Sequence, residues 1–218
     1  MHADLQRVLI DRATLARRVA ELADEIGTRL SRLGGGGPAG GDRAGPGEVT
    51  LVPVLTGSII FVADLIRHLP IQMQIHLMSV SSYPGTSTTS QGVTMNHALS
   101  GVPDDLAGLH VLLIDDILDS GATITAVRAE LESRGPDSLH TAVLLRKERH
   151  DLVQPEVDFV AFDIPDAFVV GYGLDFDDYY RNLPEIGVLR DDVIARARAD
   201  AGQPGVGPAG AGQGADAS

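Results

Sequence analysis

The chain has no cysteine and no tryptophan, and a single lysine, Lys147, among its 17 Lys and Arg residues. Without thiols it can form neither a disulfide nor a thiolate-based active site, which suits a reducing compartment such as the cytoplasm. Positive charge is scarce as well: 30 acidic residues leave a formal net charge of −13 at pH 7. Such a field repels nucleic acid and anionic membranes, so neither is expected as a partner. An anionic small molecule must then be held locally, by a helix N-terminus, backbone amides, a metal ion or a few placed cations. Hydrophobic residues make up 44% of the chain, enough for a sizeable core. The apolar runs reach only strand or helix length, and none would span a bilayer. The opening MHADLQRVLIDRATLARRV lacks the apolar centre of a secretion signal, and its acidic residues argue against a transit peptide. The histidines are scattered, with no i,i+4 pair and no cysteine companion, so a zinc site is not supported. The motifs G-x-S-x-G and G-x-x-x-x-G-K-[ST] are both missing, which counts against a serine hydrolase and a triphosphate-binding P-loop.

What remains is regular. Leu15, Val19, Leu22 and Ile26 recur at helical spacing within 12–33, with Asp11 as N-cap. The stretch GGGGPAGGDRAGPGE, 34–48, and the tail from Ala201 to Ser218 are too rich in Gly and Pro to order in isolation. We therefore expect one domain over 1–200 carrying a disordered insert, then a disordered tail over 201–218. The tail holds Gly205-x-Gly207-x-x-Gly210, but with no strand before it and no helix after it the match is accidental. Between these segments VTLVPVL (49–55) reads as a strand buried on both faces, SIIFVADLIRHL (58–69) as a helix and IQMQIHLMSV (71–80) as a strand. HVLLID (110–115) is another buried strand, followed by a helix over 123–134. Further strands are expected at 138–146, 157–164 and 168–174. Alternation of this kind predicts an α/β fold with a mainly parallel twisted sheet flanked by helices, whose ligands bind at the carboxyl ends of the strands.

The chemistry concentrates in HVLLIDDILDSGATITAV, residues 110–127. A buried strand ends in Asp115 and Asp116; Asp119, Ser120, Gly121, Ala122 and Thr123 follow, and a helix opens. A helix N-terminus offers unpaired N–H groups and the positive end of its dipole. Gly121 permits close backbone approach, and Ser120 and Thr123 add hydroxyl donors, which together make a phosphate cradle. The adjacent carboxylates suit a vicinal diol or a hydrated Mg²⁺. Phosphate at one end and a diol beside it describe a ribose 5-phosphate. The plainer alternative is an ordinary strand–loop–helix with Asp119 or Ser120 as N-cap. Three carboxylates within five residues of an apolar strand favour the functional reading.

Residues 115–123 resemble the signature of type I phosphoribosyltransferases, which bind 5-phosphoribosyl-1-pyrophosphate. VPVLTGSIIFVADLIRHLP, VSSYPGTSTTSQG, VLLRKERH and VDFVAFDIPDAFVVGYGLDFDDYYRNLPEIGVL resemble, in family order, segments of its hypoxanthine (hypoxanthine-guanine) branch. The resemblance implies the type I fold with a small hood built from terminal segments, purine salvage as the activity, and a homodimer or homotetramer. It implies that Asp115 and Asp116 hold the ribose hydroxyls, and that Ser120, Gly121, Ala122 and Thr123 take the 5-phosphate. Asp119 would be the general acid/base at N7 of the purine. Lys147 would meet the exocyclic oxygen at C6, Phe168 would stack on the base, and the backbone of Val169 would meet its edge. Asp175 would ligate Mg²⁺, with Asp115 and Asp116 as candidates for contacts through water, and Arg181 would reach the pyrophosphate. Leu55, Thr56 and Gly57 match the pyrophosphate loop, with a cis peptide implied at Leu55–Thr56. Ser82 and Tyr83 match the start of the lid over the reacting centre.

One departure stands out, because the family usually has lysine where this chain has Thr56. Two rivals remain. Another type I member, acting on xanthine, adenine or a pyrimidine, is disfavoured by Lys147 and Phe168, which fit a 6-oxopurine pocket. A non-catalytic regulator that senses the phosphoribosyl donor is disfavoured by the net charge of −13 and by retention of Asp119, Lys147 and Asp175.

Overall fold

The computed structural model describes residues 1–33, 49–79, 101–149 and 151–201. The Gly-rich insert, Ser82, Tyr83 and residues 202–218 of the tail lie outside the described residues. Five strands form one parallel sheet: β2 (Val49–Leu55), β3 (Met73–Ile75), β5 (His110–Leu118), β6 (Ser138–Lys147) and β7 (Phe159–Ile164), in the order β3-β2-β5-β6-β7. The remaining strands are β1 (Leu5–Ile10), β8 (Val169–Val170) and β9 (Ile186–Leu189), which make a separate antiparallel sheet in the order β1-β9-β8, and β4 (Met78–Ser79), which pairs with β2. Four α-helices and a short 3-10 turn at His2–Asp4 complete the described fold: α1 (Arg12–Leu33), α2 (Ile59–Leu65), α3 (Ala122–Ser133) and α4 (Asp191–Ala201). None of the described helices is long and apolar enough to cross a membrane.

The period of two along each strand decides which helix covers it. Leu112 and Ile114 of β5 pack with Val49 and Leu51 of β2 in the core that holds α1 and α2. Val111 and Leu113 join Val52 and Val54 in the opposite core, under Ile124, Val127 and Leu131 of α3. Leu15, Val19, Leu22 and Ile26 of α1 are all buried, and Asp11 caps that helix by accepting the Thr14 N–H at 2.9 Å. The chain leaves β2 toward β3 through α2 and leaves β5 toward β6 through α3, so the two connections diverge onto opposite faces. That divergence opens a crevice between the carboxyl ends of β2 and β5.

Several boundaries differ from expectation. The strand expected at 71–80 is split into β3 and β4. His76 donates to the Leu51 carbonyl at 2.9 Å, so the odd-numbered residues of β2 face this neighbour. Pro53 therefore points its missing N–H at the same edge, and the ladder breaks there. The helix expected at 58–69 ends at Leu65 and continues only as a turn into Leu69, the residue before Pro70. The run at 168–174 is not a strand of the parallel sheet. Gly171, Tyr172 and Gly173 carry φ of 99°, 52° and 103°, so the chain turns after β8. β1, β9 and α4 were not expected individually, although together β1 and β9 form the hood that the resemblance implies. α4 also takes in Ala201, which composition assigned to the tail. The Leu55–Thr56 peptide is cis.

Leu113 sits at the centre of the sheet with no exposure. Leu113→Ala should cost about 2–5 kcal/mol of stability, read from the urea unfolding midpoint. Val153→Ala, at a residue 99% exposed, should shift it by less than about 0.5 kcal/mol.

Candidate active site

The crevice widens into a cavity of about 910 Å³. Its wall comprises the end of β2 with Leu55, Thr56 and Gly57, the β5–α3 segment from Asp115 to Ile124 apart from Leu118, the turn at 175–178 with Arg181, and Ala197 and Arg198 of α4. Of the residues singled out by sequence, Asp115, Asp116, Asp119, Ser120, Gly121, Ala122, Thr123, Asp175 and Arg181 meet here, together with the loop at 55–57. Lys147, Phe168 and Val169 stand outside the wall.

Asp115 and Asp116 lie within β5 rather than after it, because its pairing with β6 runs on to Leu118. Asp115 is 5% exposed, and its Oδ1 accepts the Asp116 N–H at 3.0 Å. Burial, and then the charge of Asp116, push the Asp115 carboxyl well above the usual carboxylate range. Burial also raises Asp116, against the opposing pull of its hydrogen bond with Asp115 and the charge of Arg181. Two carboxylates this close in a dry strand end hold a proton more tightly than either would in water.

Next along the chain, Gly121 takes φ 81° and is the N-cap of α3, with no side-chain cap hydrogen bond. Neither Asp119 nor Ser120 caps the helix; Ser120 Oγ comes only within 3.4 Å of the Ala122 N–H. The first N–H groups of α3 thus face the cavity wall, an arrangement suited to an anion. A Cβ at Gly121 would lie 2.2 Å from Pro155 Cδ, so only glycine lets the loop pass that proline.

The turn at 171–181 docks on the β2 loop just as closely. A Cβ at Gly173 would lie 2.1 Å from the Gly57 carbonyl oxygen, and one at Gly57 would lie 1.6 Å from Asp116 Oδ2. Asp175 Oδ1 pairs with Arg181 at 2.9 Å, and Asp175 Oδ2 accepts the Asp178 N–H at 2.9 Å. Arg181 also donates to the Gly173 carbonyl at 3.0 Å and pairs with Asp178 at 3.1 Å.

In the loop between β5 and α3, Asp119 is gripped by two cations that approach from the end of β6. Lys147 Nζ donates to its Oδ2 at 2.8 Å, and the Arg149 guanidinium donates to its Oδ1 at 2.5 Å. Asp151 holds that guanidinium by two bonds of 2.9 Å. Gln154 reaches the carbonyls of Asp119 at 2.5 Å and Lys147 at 3.1 Å, fixing the two backbones against each other. Sequence reading missed Arg149 and Gln154; the charged run RKER was the only signal for the former, and the latter had none. Phe168 is 38% exposed and meets Phe176 of the cavity wall edge-on, with ring centroids 5.2 Å apart. The Leu189 N–H binds the Phe168 carbonyl at 2.9 Å, which makes Val169–Val188 the non-hydrogen-bonded pair of that ladder. The Val169 N–H and C=O therefore point to the open edge of the hood sheet.

The phosphoribosyl transferase domain family matches residues 41–177. A hypoxanthine-guanine phosphoribosyltransferase of Mycobacterium tuberculosis is 40% identical over 186 residues, 85% of this chain and 87% of that protein. The chain belongs to the phosphoribosyltransferases. Within that family, hypoxanthine phosphoribosyltransferase of Salmonella typhimurium is 38% identical over 187 residues, covering 85% of this chain and 97% of its own. The Trypanosoma cruzi hypoxanthine phosphoribosyltransferase, solved with the product IMP, superposes with a TM-score of 0.72 at 30% identity, covering 91% of this chain and 97% of that one.

A phosphoribosyltransferase cavity of this composition offers Mg²⁺ hard oxygen donors but no cage. Among the described residues no group of three or more His, Cys, Asp or Glu could hold a metal ion alone. Mg²⁺ retains water and takes one or two carboxylates plus substrate phosphates, so the Asp175 carboxylate on the cavity wall fits it.

The buried acid pair yields a pH prediction. A carboxyl whose folded pKa is raised costs nothing below the unfolded value of about 3.9, and destabilises increasingly as pH rises from there to the folded value, above which the cost is constant. Asp115→Asn should therefore raise Tm at pH 7, by about 2–4 °C per kcal/mol relieved. The gain should vanish as the pH falls toward 4. Calorimetric melting of both proteins from pH 4 to pH 8 tests this, and a gain independent of pH would contradict it.

Proposed function

We propose that this chain transfers the 5-phosphoribosyl group of 5-phosphoribosyl-1-pyrophosphate to hypoxanthine and to guanine, giving IMP or GMP and pyrophosphate. One observation carries the choice of base: Lys147 and Asp119, 28 positions apart, meet at 2.8 Å beside the cavity. A 6-oxopurine presents N7 and O6 side by side on one edge. An ammonium next to a carboxylate complements that edge, the first donating to O6 and the second accepting the N7 proton. A 6-amino group would place its own donors against the ammonium, leaving both sides unpaired.

In this reading Asp119 withdraws the N7 proton as the bond from C1′ to pyrophosphate breaks and the bond to the base forms. Lys147 turns from Asp119 to O6, while Arg149 keeps the carboxylate in place. Phe168 covers the base and the open edge of Val169 meets its polar rim. The first turn of α3 and residues 120–123 bind the 5-phosphate, and Asp115 and Asp116 receive the ribose hydroxyls. The residues of the loop at 55–57 bind the pyrophosphate with Arg181, and Ser82 and Tyr83 belong to a covering lid. Mg²⁺ at Asp175, when bound, supplies charge neutralisation for the leaving pyrophosphate. The same reading takes residues 1–200 as one domain of a cytoplasmic homodimer or homotetramer.

The test measures kcat/KM for hypoxanthine, guanine, xanthine and adenine, with the phosphoribosyl donor and Mg²⁺. Hypoxanthine and guanine should lead; adenine as the preferred base would overturn the assignment. Asp119→Asn should slow transfer by about 10²–10⁴-fold with donor binding retained. Lys147→Arg should fold normally yet lose most activity through the kcat/KM of the base, because a planar fork does not replace a point donor at one oxygen.

A further inference from the structure

Six carboxylates stand on the cavity wall, those of Asp115, Asp116, Asp119, Asp175, Asp177 and Asp178, against two cations, Arg181 and Arg198. Arg181 is already committed to Asp175, Asp178 and the Gly173 carbonyl. Arg198 forms no ion pair or hydrogen bond with the described residues. Its place follows from how α4 is anchored. Arg190 grips Asp192 of the first turn with two bonds of 2.8 Å and donates to the Ala3 carbonyl at 3.1 Å. One turn later Ile194 is buried in the hood cluster with Val170, Leu183 and Leu189, beside Phe176 and Tyr180. Ala197 and Arg198 lie three and four residues beyond Ile194, on the same helix face. The packing that buries Ile194 thus carries Arg198 over the cavity.

We propose that Arg198 is a phosphate-binding residue of the donor site, contributed by a helix outside the phosphate loop. This rests on the phosphoribosyl-transfer reading above. A guanidinium unpaired among the described residues is suited to a phosphoryl oxygen pair, and it offsets part of the negative wall that would otherwise repel the donor.

The experiment compares full-length Arg198→Gln, Arg198→Lys and Arg196→Gln with the parent enzyme. Arg196 is an exposed neighbour paired at 3.8 Å with Asp192. Arg198→Gln should raise the KM for the phosphoribosyl donor about tenfold, the usual worth of a charge-assisted hydrogen bond. The kcat, the KM for the base and the Tm should hold. Arg198→Lys should regain most of the affinity, and Arg196→Gln should behave as the parent. Calorimetric titration with inorganic pyrophosphate and with IMP identifies the phosphate involved. Weakening with pyrophosphate alone puts Arg198 at the leaving group, and weakening with IMP puts it at the 5-phosphate; either supports the proposal. An unchanged donor KM and unchanged binding of both probes overturn it, as does an equal loss in Arg196→Gln. Should the parent show no base-dependent release of pyrophosphate, the function reading fails, while the two titrations still decide whether Arg198 binds phosphate.

Discussion

The cavity depends on three segments approaching each other with no room for a side chain between them. Gly57 at the end of the second strand lies against the Asp116 carboxylate, and Gly173 lies against the Gly57 carbonyl oxygen. A methyl group at either position would wedge the β2 loop away from β5 or from the turn that bears Asp175 and Arg181. Because that turn also connects β8 to β9, the contact adds to the shared core in which Ile10, Val169, Ile186 and Val188 of the hood pack with the parallel sheet. The relative placement of Asp116, the loop at 55–57 and the turn bearing Asp175 and Arg181 is therefore set by close contacts at two glycines, which have no side chain to hop between rotamers.

Electrostatics works against that packing. The cavity wall gathers carboxylates inside a chain of net charge −13, and two of them sit side by side in β5, where burial raises both from the usual carboxylate value. Stability alone would not select such a pair, and strain of this kind is commonly tolerated where a ligand supplies the missing partners. The arginines resolve the conflict piecemeal. Arg181 and Arg149 each pair with carboxylates at opposite ends of the site, and so hold in place groups that repulsion would scatter.

Much of this was legible from the chain, for local reasons. The strands at 49–55 and 110–115 read as near-continuous apolar runs because both faces are covered, although the second runs on to Leu118, and residues 115–123 stand out because they form one contiguous segment. Where legibility failed, the cause was non-local. LQRVLI is a strand only because β9 pairs with it, and most of its side chains stay exposed or half-buried. FVVGYGL reads as a strand by hydrophobicity, since a buried glycine turn is as apolar as a strand and its positive φ leaves no mark on the pattern. Gln154, Pro155 and Arg149 act through contacts 30 or more positions away in the chain, and no spacing rule reaches that far. The split of β3 from β4 could have been anticipated from Pro53, had the side of the strand it faces been known.

The hood has a temporal consequence. Its first strand is completed at Ile10 and its partner begins at Ile186, so the pairing must wait until synthesis has passed Ile186. The parallel sheet, by contrast, has all its strands by Ile164. Vectorial synthesis therefore favours a nascent chain in which the sheet is assembled while LQRVLI is still unmatched, a strand without its template. Assembly of the hood then follows assembly of the sheet. A chain truncated before Ile186 would lack β9 and α4, and with them the part of the cavity wall that Ala197 and Arg198 supply.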